Sequence, residues 1–410
     1  MTIVEMMESI GAKARKGADA LRDASGETRT RAIRAMAAKL RESAPAILAA
    51  NAEDVAGATA LVDRLRLDPQ RLEGAAQSLE QVAGLPDLVG TDLARWTRPN
   101  GLDIARVRTP IGVIGMIYES RPNVTADAAA ICVRSGNAVI LRSGSDALRS
   151  SIAIHEAIAA GLVEAGLPAD CVQIVPTASR DAVGLMLQGL DGAVDLIIPR
   201  GGAALVERVS REARVPTLGH LEGLCHTYVH GSADPGMAVA VVANAKMRRT
   251  SICGATETLL IDRAAAPALL PAIAAALDGC ELRGDAESRA LVPMKAAAES
   301  DWSTEYLAPI LSIRVVADIG EAMAHIELYG TGHTEAIVAE DEAAAELFLN
   351  RVDSAIVMWN ASTQFADGGE FGFGAEIGIA TGKLHARGPV GPEQLMTFKY
   401  IVRGTGQQRP

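Results

Sequence analysis

The chain has 410 residues, which at ~150 residues per domain predicts two or three domains. Hydrophobic residues make up 49% and charged residues 22%, a composition typical of globular proteins with large cores. The balance of 39 Lys and Arg against 50 Asp and Glu gives a net charge of −11, and only 3% of the residues are aromatic. Because a general nucleic-acid-binding protein needs basic patches and stacking rings, that class is excluded.

The cysteines and the apolar segments exclude further classes. Five cysteines without a Cys-x-x-Cys pair argue against a disulfide framework, and the segment 220–226 has no second spaced ligand group, so no metal site is predicted. Glu5 and Glu8 interrupt the apolar core that a signal peptide would need. The apolar stretch 264–277 is shorter than the ~20 residues of a membrane-spanning helix. We therefore expect a cytoplasmic protein without a membrane span.

Helical patterns dominate the first part of the chain and then give way to a hairpin. The segment 30–48 places Ile33, Met36 and Leu40 on one face, which predicts an amphipathic helix. The segment 95–109 predicts a β-hairpin with an Asn-Gly turn. Its two-sided polarity suits an exposed arm better than a core sheet.

From residue 111 onward, short apolar runs alternate with helical patterns. The predicted strands of this region are 111–117, 138–141, 172–175, 196–198 and 227–229, and its predicted helices are 126–133, 146–165, 180–188 and 203–213. In a second region, 238–360, the predicted strands are 257–261, 310–316, 335–338 and 354–358. This alternation predicts an α/β fold with parallel, doubly wound sheets. The glycine-rich segment 368–382 predicts a loop, and 398–403 a final strand.

Two strand-to-helix turns are candidates for binding phosphate groups. The first has the residues Arg142, Ser143, Gly144 and Ser145, and the second has Pro199, Arg200, Gly201 and Gly202. Backbone amides at a helix N-terminus attract phosphate, and each turn adds an arginine. The alternative for each is an ordinary connecting loop, since neither contains the Gly-x-Gly-x-x-Gly fingerprint. Two such turns on successive units of one sheet favour a dinucleotide.

Cys253 is the candidate nucleophile, because it follows Lys246, Arg248 and Arg249 in a polar loop before a predicted strand. Nearby cations favour the reactive thiolate form of a cysteine. Three other cysteines have mainly apolar or helical neighbours and are predicted to be small core residues: Cys132, Cys171 and Cys280.

The segment 322–335 is a third candidate. His325 and Tyr329 share a helix face, Gly330 ends that helix, and His333 lies in the turn that follows. A plain helix-to-strand connection with polar surface residues is the equally good alternative.

Together, the segments 119–123, 244–253 and 316–337 resemble the aldehyde dehydrogenase superfamily and, within it, the γ-glutamyl phosphate reductase family. The resemblance covers nearly the whole chain. It implies an aldehyde-dehydrogenase-like fold of two doubly wound α/β domains with a β-hairpin oligomerisation arm. It also implies NADPH-dependent reduction of L-glutamyl 5-phosphate to L-glutamate 5-semialdehyde in proline biosynthesis, with release of phosphate. The alternatives are a non-phosphorylating or CoA-acylating aldehyde dehydrogenase, or a non-catalytic dehydrogenase-like binding protein.

The resemblance assigns roles to single residues. Cys253 corresponds to the nucleophile and Asn123 to the amide that stabilises the oxyanion. The adenine-ribose turn falls on Arg142, Ser143, Gly144 and Ser145, the pyrophosphate turn on Pro199, Arg200, Gly201 and Gly202, and the nicotinamide-ribose carboxylate on Glu305. Candidates for binding the substrate are Arg121, Lys246, Arg249, His325 and His333, the two histidines alternatively positioning the catalytic loop. Because Ser145 replaces the Glu of NAD enzymes and Arg142 can pair with a 2′-phosphate, NADP(H) is favoured over NAD(H).

Two departures from the related sequences stand out. His220 occupies the place of the water-activating Glu of hydrolytic members, with Glu222 displaced by two residues. Loss of that base suits an enzyme that must not hydrolyse its thioester. Arg248 and Gly254 stand where the reductase pattern has Gln and Asn, and we expect them to change the polarity of the loop.

The resemblance also implies a domain organisation. The N-terminal helices and the NADP-binding domain cover 1–94 and 110–226, and the catalytic domain covers 227–365. The arm consists of 95–109 and 396–410, and 366–395 is a returning segment. Since an exposed strand edge needs covering, we expect a homo-oligomer. A separate glutamate 5-kinase, which would supply the acyl phosphate, is a candidate partner.

Overall fold

The computed structural model describes residues 1–58, 62–219 and 222–409. Contacts divide the chain into two compact units. Unit 1 consists of Met1–Gly219, Gly372–Gly378 and Val390–Pro410, and unit 2 consists of His220–Phe371 and Ile379–Pro389. The chain therefore returns to unit 1 twice near its C-terminus.

The helices and strands follow one another along both units. In chain order, the helices are α1 (Ile3–Asp23), α2 (Gly26–Glu42), α3 (Ala44–Gly57), α4 (Val62–Leu65), α5 (Pro69–Gly84), α6 (Val124–Arg134), α7 (Leu148–Glu164), α8 (Arg180–Leu187), α9 (Ala203–Glu212), α10 (Pro235–Met247), α11 (Ala266–Ala276), α12 (Ala286–Leu291), α13 (Ile319–Tyr329) and α14 (Glu342–Arg351). The strands are β1 (Asp92–Thr97), β2 (Asp103–Pro110), β3 (Val113–Tyr118), β4 (Ala138–Ser143), β5 (Val172–Ile174), β6 (Leu196–Arg200), β7 (Cys225–Val229), β8 (Thr256–Asp262), β9 (Glu281–Gly284), β10 (Lys295–Ala296), β11 (Ile310–Val316), β12 (Thr334–Val338), β13 (Ile356–Trp359), β14 (Ile379–Ala380), β15 (Gly388–Pro389) and β16 (Met396–Arg403).

The parallel sheet of unit 1 has the order β5-β4-β3-β6. Every residue of β3 and β4 is buried, as expected for central strands covered by helices on both faces. β3 is the first strand of this sheet in chain order, and it lies between β4 and β6. The chain adds β4 and β5 on one side of β3 and then crosses to add β6 on its other side. In open α/β sheets, ligands bind outside the carboxyl ends of the strands at such a reversal.

The parallel sheet of unit 2 has the order β10-β9-β11-β8-β7-β12-β13. Its central strands β7, β8 and β12 are buried along their full length. One core cluster packs on the side of α10 and α11, and another includes side chains of α13 and α14. The predicted parallel, doubly wound α/β architecture is therefore confirmed in both units.

The predicted hairpin is present as β1 and β2, and β16 pairs antiparallel with β2 along its full length. All residues of β1 are exposed. Trp96 and Phe398 each make an edge-to-face contact with Tyr400, with ring centroids 6.2 and 5.7 Å apart, and Arg106 lies over the Phe398 ring. The three strands thus form a sheet of unit 1 with an exposed strand β1 and an aromatic surface, whereas Ala105 and Val107 of β2 are buried.

Three predicted boundaries differ from the structure. The predicted helix 30–48 is two helices, since α2 ends at Glu42 and α3 starts at Ala44 with a proline in its first turn. The predicted domain boundary at 226/227 lies inside β7, whereas the two units meet in sequence between 219 and 220, because β7 pairs with β8 and β12 of the second sheet. The predicted returning segment 366–395 is divided between the units.

The segment 264–277 contains α11, and Pro271 lies inside this helix. Within the part of the chain that the structure describes, no helix is both long and apolar enough to cross a membrane.

Candidate active site

The two predicted phosphate turns lie at one edge of the sheet of unit 1. Tyr118, the last residue of β3, pairs with Ser143 at the end of β4 and with Arg200 at the end of β6. A cleft of about 1230 Å³ opens beside this edge. Residues of unit 1 that line it include Glu119, Arg142, Gly144, Ser145, Asp146, Arg180 and Arg208. The first turn therefore faces the cleft directly, and the helix that follows the second turn contributes to its wall.

Two buried polar atoms in the first turn have no hydrogen-bond partner among the described residues. The Arg142 guanidinium donates to the carbonyl of Ala178 (2.9 Å), and burial lowers the pKa of Arg142. Its Nε and the Ser143 hydroxyl are buried without a hydrogen bond to any described residue. Such atoms indicate a site built for a polar ligand. The turn therefore fits the phosphate- and ribose-bearing part of a dinucleotide.

Asp146 connects this turn to the turn that contains Ser120. Its carboxylate accepts from the hydroxyl of Ser120, a residue with the left-handed φ of 50°. A non-glycine residue with this φ is uncommon, and such strain concentrates at functional sites. Sequence patterns did not single out Asp146 as a site residue, because its partner belongs to another turn.

A carboxylate already contacts the second turn. The Glu119 amide donates to the carbonyl of Arg200 (3.0 Å), and Glu119 Oε2 accepts from the amide of Gly202 (3.2 Å) just before α9. The Arg200 guanidinium lies 3.9 Å from the Glu376 carboxylate. The Gly202 amide, which the resemblance assigns to the pyrophosphate turn, thus donates to a carboxylate oxygen of Glu119. This contact agrees with the preference of amides at a helix N-terminus for anions.

Asn123 precedes the first residue of α6, and its amide Nδ2 donates to Asp127 Oδ2 (3.1 Å). The other Asp127 oxygen accepts from the Ser78 hydroxyl (3.0 Å), and burial raises the pKa of Asp127 to about 6. Because a carboxylate only accepts, this contact fixes which end of the Asn123 amide carries the N–H groups. Arg121 is half-buried in the same turn. The oxyanion role of Asn123 remains a prediction.

In unit 2, Cys253 lies in the turn between α10 and β8 and packs against a small apolar cluster. Gly223 touches it so closely that a Cβ added to this glycine would lie 2.5 Å from the Cys253 Cβ. The Gly223 amide donates to Glu305 Oε1 (3.1 Å). The predicted nucleophile and the predicted nicotinamide-ribose carboxylate therefore contact the same glycine, which sequence analysis missed.

The remaining cysteines are shielded. Burial raises the pKa of Cys171 to about 12 and that of Cys280 to about 11, and it also raises the pKa of Cys132 and of Cys225. The Cys225 thiol donates to the carbonyl of Cys253 (3.0 Å). These four thiols stay protonated near neutral pH, which supports the choice of Cys253 as nucleophile. No metal-binding cluster of three or more His, Cys, Asp or Glu occurs among the described residues.

Lys246 does not extend toward solvent beside Cys253. Its side chain is completely buried, and its Nζ lies 2.5 Å from Oε2 of the equally buried Glu257. The lysine occupies the last turn of α10, where the helix directs it into the interior of unit 2. This position argues against the predicted substrate contact.

Arg249 remains an exposed side chain, and its loop is held by Gln364, a residue without a sequence signal. The Gln364 amide donates to the Arg249 carbonyl (3.1 Å) and accepts from Arg248 (3.3 Å). At Gly254, an added Cβ would lie 3.1 Å from the Thr363 carbonyl. Arg248 and Gly254, the two residues that differ from the reductase pattern, therefore lie where this loop contacts the turn at 363–364.

Both predicted histidines are buried. His325 Nδ1 accepts from Arg314 (3.1 Å), and burial lowers the pKa of His325 to about 3, so the ring is neutral near pH 7. His333 Nδ1 lies 2.9 Å from the hydroxyl of Thr334 and 3.5 Å from the Cys225 thiol. These positions favour a role in supporting the loop over substrate contact. His220 lies outside the described residues.

Comparisons with known proteins agree with this geometry. A model of the aldehyde dehydrogenase family matches residues 4–301. The chain is 66% identical to the γ-glutamyl phosphate reductase of Caulobacter sp. (strain K31), with all of both chains covered. The structure of the γ-glutamyl phosphate reductase from Thermotoga maritima matches with a TM-score of 0.95 at 44% identity, covering 98% of this chain and 100% of that one. An acetylating aldehyde dehydrogenase from Geobacillus thermoglucosidasius shares the fold, with a TM-score of 0.75 at 18% identity over 100% and 98% of the two chains.

Proposed function

The chain belongs to the aldehyde dehydrogenase family and, within it, to the γ-glutamyl phosphate reductases, and we propose that it reduces L-glutamyl 5-phosphate to L-glutamate 5-semialdehyde with NADPH. The observation that carries this proposal is the similarity to such reductases over the full chain. The contact of Cys253 and Glu305 with one glycine supports it, because a nucleophile and a cofactor-binding carboxylate are needed together.

Cys253 starts the reaction. Its thiolate forms a bond to the γ-carbonyl carbon, the carbon–oxygen bond to phosphate breaks, and phosphate leaves with that electron pair. The product is a γ-glutamyl thioester on Cys253. The family resemblance assigns stabilisation of the developing negative oxygen to the Asn123 side chain and the Cys253 backbone N–H, and one such donor contributes about 2.7–4 kcal/mol in comparable sites.

The family uses a nicotinamide cofactor, which supplies a hydride to the thioester carbon when it is bound. The residues that would hold it are Arg142, Ser143, Gly144, Ser145, Pro199, Arg200, Gly201, Gly202 and Glu305. The tetrahedral oxyanion on Cys253 then collapses, the carbon–sulfur bond breaks, and the aldehyde leaves while the thiolate is restored.

NADP(H) is our proposal for the cofactor in preference to NAD(H). Arg142, Arg180 and Arg208 line the cleft beside the first turn, and Ser145 is exposed there without a negative charge. A 2′-phosphate pairs well with guanidinium groups.

Three carboxylates near Cys225, whose thiol contacts the Cys253 carbonyl, are engaged by other groups. Glu257 pairs with Lys246, Glu305 accepts from Gly223, and Glu335 accepts from the backbone and ring of His226. Burial raises the pKa of Glu257 to about 7, but its two oxygens already accept from Lys246 and from the Leu307 amide, so this carboxylate is not free to take a proton from water. This supports release of the acyl group to phosphate instead of hydrolysis.

We also propose a homo-oligomer formed through the β1–β2–β16 sheet. Trp96, Phe398 and Tyr400 are exposed on it, and β1 presents an uncovered edge. A second copy would cover this surface. A kinase that phosphorylates the glutamate side chain must supply the substrate, so glutamate 5-kinase is the proposed metabolic partner.

The experiment runs the reaction backward with glutamate 5-semialdehyde and NADP⁺. Three arms contain phosphate, CoA or neither. We expect continuous, steady-state NADPH formation only in the phosphate arm. Equal rates without phosphate would indicate a hydrolytic enzyme, dependence on CoA would indicate an acylating one, and no turnover in any arm would indicate a binding protein.

A further inference from the structure

The Lys246–Glu257 ion pair lies in the interior of unit 2, in the segment that also contains Cys253. The Lys246 side chain is completely buried and that of Glu257 is 1% exposed, and their charged atoms are 2.5 Å apart. Burying two charges carries a desolvation penalty of several kcal/mol per ion, which their attraction offsets only with good geometry and further hydrogen bonds. A pair of apolar side chains would fill the same space at lower cost, so the pair requires an explanation other than packing.

Glu257 uses its second oxygen to hold a neighbouring loop. Its Oε1 accepts from the backbone amide of Leu307 (3.3 Å). Leu307 has a φ of 50°, a left-handed conformation that a leucine adopts only when its surroundings enforce it. The Lys246 ammonium lies over the ring of Tyr306, 5.9 Å from its centroid. The ion pair therefore contacts two successive residues of this loop.

The same loop positions the predicted cofactor carboxylate. Glu305 lies two residues before Leu307, and its Oε1 accepts from the amide of Gly223. Gly223 in turn packs directly against Cys253. A continuous set of contacts thus connects the ion pair to the nucleophile through one strained loop and one glycine, all within unit 2.

Tyr306 fixes the far side of the loop. Its hydroxyl donates to Asp301 (2.9 Å) and lies 2.8 Å from the Ser312 hydroxyl. The Tyr306 hydroxyl contacts and the Glu257–Leu307 contact therefore hold this loop at two successive residues.

We infer that Lys246 and Glu257 are positioning residues of the reaction site: Glu257 fixes the Leu307 backbone, and with it the Glu305 carboxylate that holds Gly223 against Cys253. Lys246 neutralises Glu257 and so keeps this acceptor in the interior. The inference rests on the proposed function for the roles of Cys253 and Glu305.

The test compares two double variants of the full-length protein that both remove the charges. K246M/E257Q keeps an oxygen that can accept from Leu307, whereas K246M/E257L removes it. Neither leaves an unpaired buried charge, so both are expected to fold, which thermal unfolding will check. The matched control is R263Q, which breaks the exposed Arg263–Glu287 pair of the same unit.

Two readouts are measured for every variant. The first is kcat and KM for NADP⁺ in the phosphate-dependent reaction, and the second is the rate of Cys253 alkylation by iodoacetamide, with C253S as blank. We expect K246M/E257L to lose ~10–100-fold in kcat/KM, as is found when catalytic groups are misplaced. We also expect iodoacetamide to alkylate its Cys253 at a rate outside the range of wild type and control. We expect K246M/E257Q to recover several-fold of that loss.

Equal kinetics and equal alkylation of the two double variants, with only a lower unfolding temperature, would overturn the inference and leave the pair as a core contact. If wild type itself showed no phosphate-dependent activity, the proposed function would fail, and the alkylation rates alone would then decide the positioning role.

Discussion

The two units place their predicted site residues by different means. Unit 1 uses turns at the carboxyl ends of adjacent strands, where Gly201 and Gly202 are exposed and Ser143 keeps a buried hydroxyl without a described partner. Unit 2 uses the turn before β8, where Cys253 is held by groups distant in sequence, such as Gly223 and Cys225. The region predicted to bind a flexible anionic ligand is thus built from short local turns, whereas the region with the predicted nucleophile depends on buried long-range contacts.

The largest expected effect concerns the nucleophile of unit 2. C253S should lower the phosphate-dependent rate by ~10³-fold or more, since substitution of a nucleophile removes covalent catalysis. Steady-state NADPH formation measures this effect. C280S, which changes a thiol whose pKa burial raises to about 11, is the matched control and should retain activity. A C253S protein with near wild-type activity would refute the assignment of reactivity to unit 2.

The second effect concerns Asn123, the predicted oxyanion donor of unit 1. N123A should lower kcat by ~10²–10³-fold with a smaller change in KM, because the amide acts on charge that develops in the transition state. N244A, at an exposed position of α10, is the control. A rise in KM at unchanged kcat would show that Asn123 binds ligand in the ground state only.

The third effect concerns cofactor choice in the cleft of unit 1. A hydrogen bond to a charged group contributes about 1.5–3 kcal/mol, so R142Q/R180Q should raise KM for NADPH by about tenfold or more. KM for NADH should change little, because NADH lacks the 2′-phosphate. R149Q, at the exposed Arg149–Glu53 pair, is the control. Equal increases for both cofactors would mean that these arginines do not read the 2′-phosphate.

The smallest effect is the acid sensitivity of unit 2. Burial lowers the pKa of His325 from its ordinary value of 6.5 to about 3. Between pH 3 and pH 6.5, the His325 ring takes up a proton in the unfolded chain but not in the folded chain. The contribution of His325 to the free energy of unfolding is therefore complete above pH 6.5 and falls as the pH drops toward 3. The loss from this group is at most about 1.4 kcal/mol per pH unit. The free energy of unfolding, measured with urea at pH 7 and at pH 5, should differ less between the two pH values for H325F than for wild type. Equal differences for the two proteins would show that His325 does not cause the acid sensitivity.

The contrast between the units also explains what the sequence could predict. Buried strands such as β3 and β4 are continuous apolar runs, and the phosphate turns follow them directly, so both were found from local pattern. Lys246 was placed beside Cys253 because the two are close in sequence, but its partner Glu257 lies on a strand eleven positions later. Gln364 carries no local signal, and Gly223 was noted only as the end of the segment 220–223 that is compared with the hydrolytic members, because both residues reach the Cys253 loop only through tertiary folding.

In the proposed reaction, run in the oxidative direction, the acyl group is held on Cys253 until phosphate removes it. The most direct measurement is the amount of NADPH formed when enzyme, NADP⁺ and glutamate 5-semialdehyde are mixed rapidly without phosphate. We expect a burst of about one NADPH per Cys253, a matching acyl adduct on that residue by mass spectrometry, and turnover once phosphate is added. Turnover without phosphate at the rate seen with it, or an unchanged burst in C253S, would show that the acyl group is not held on Cys253.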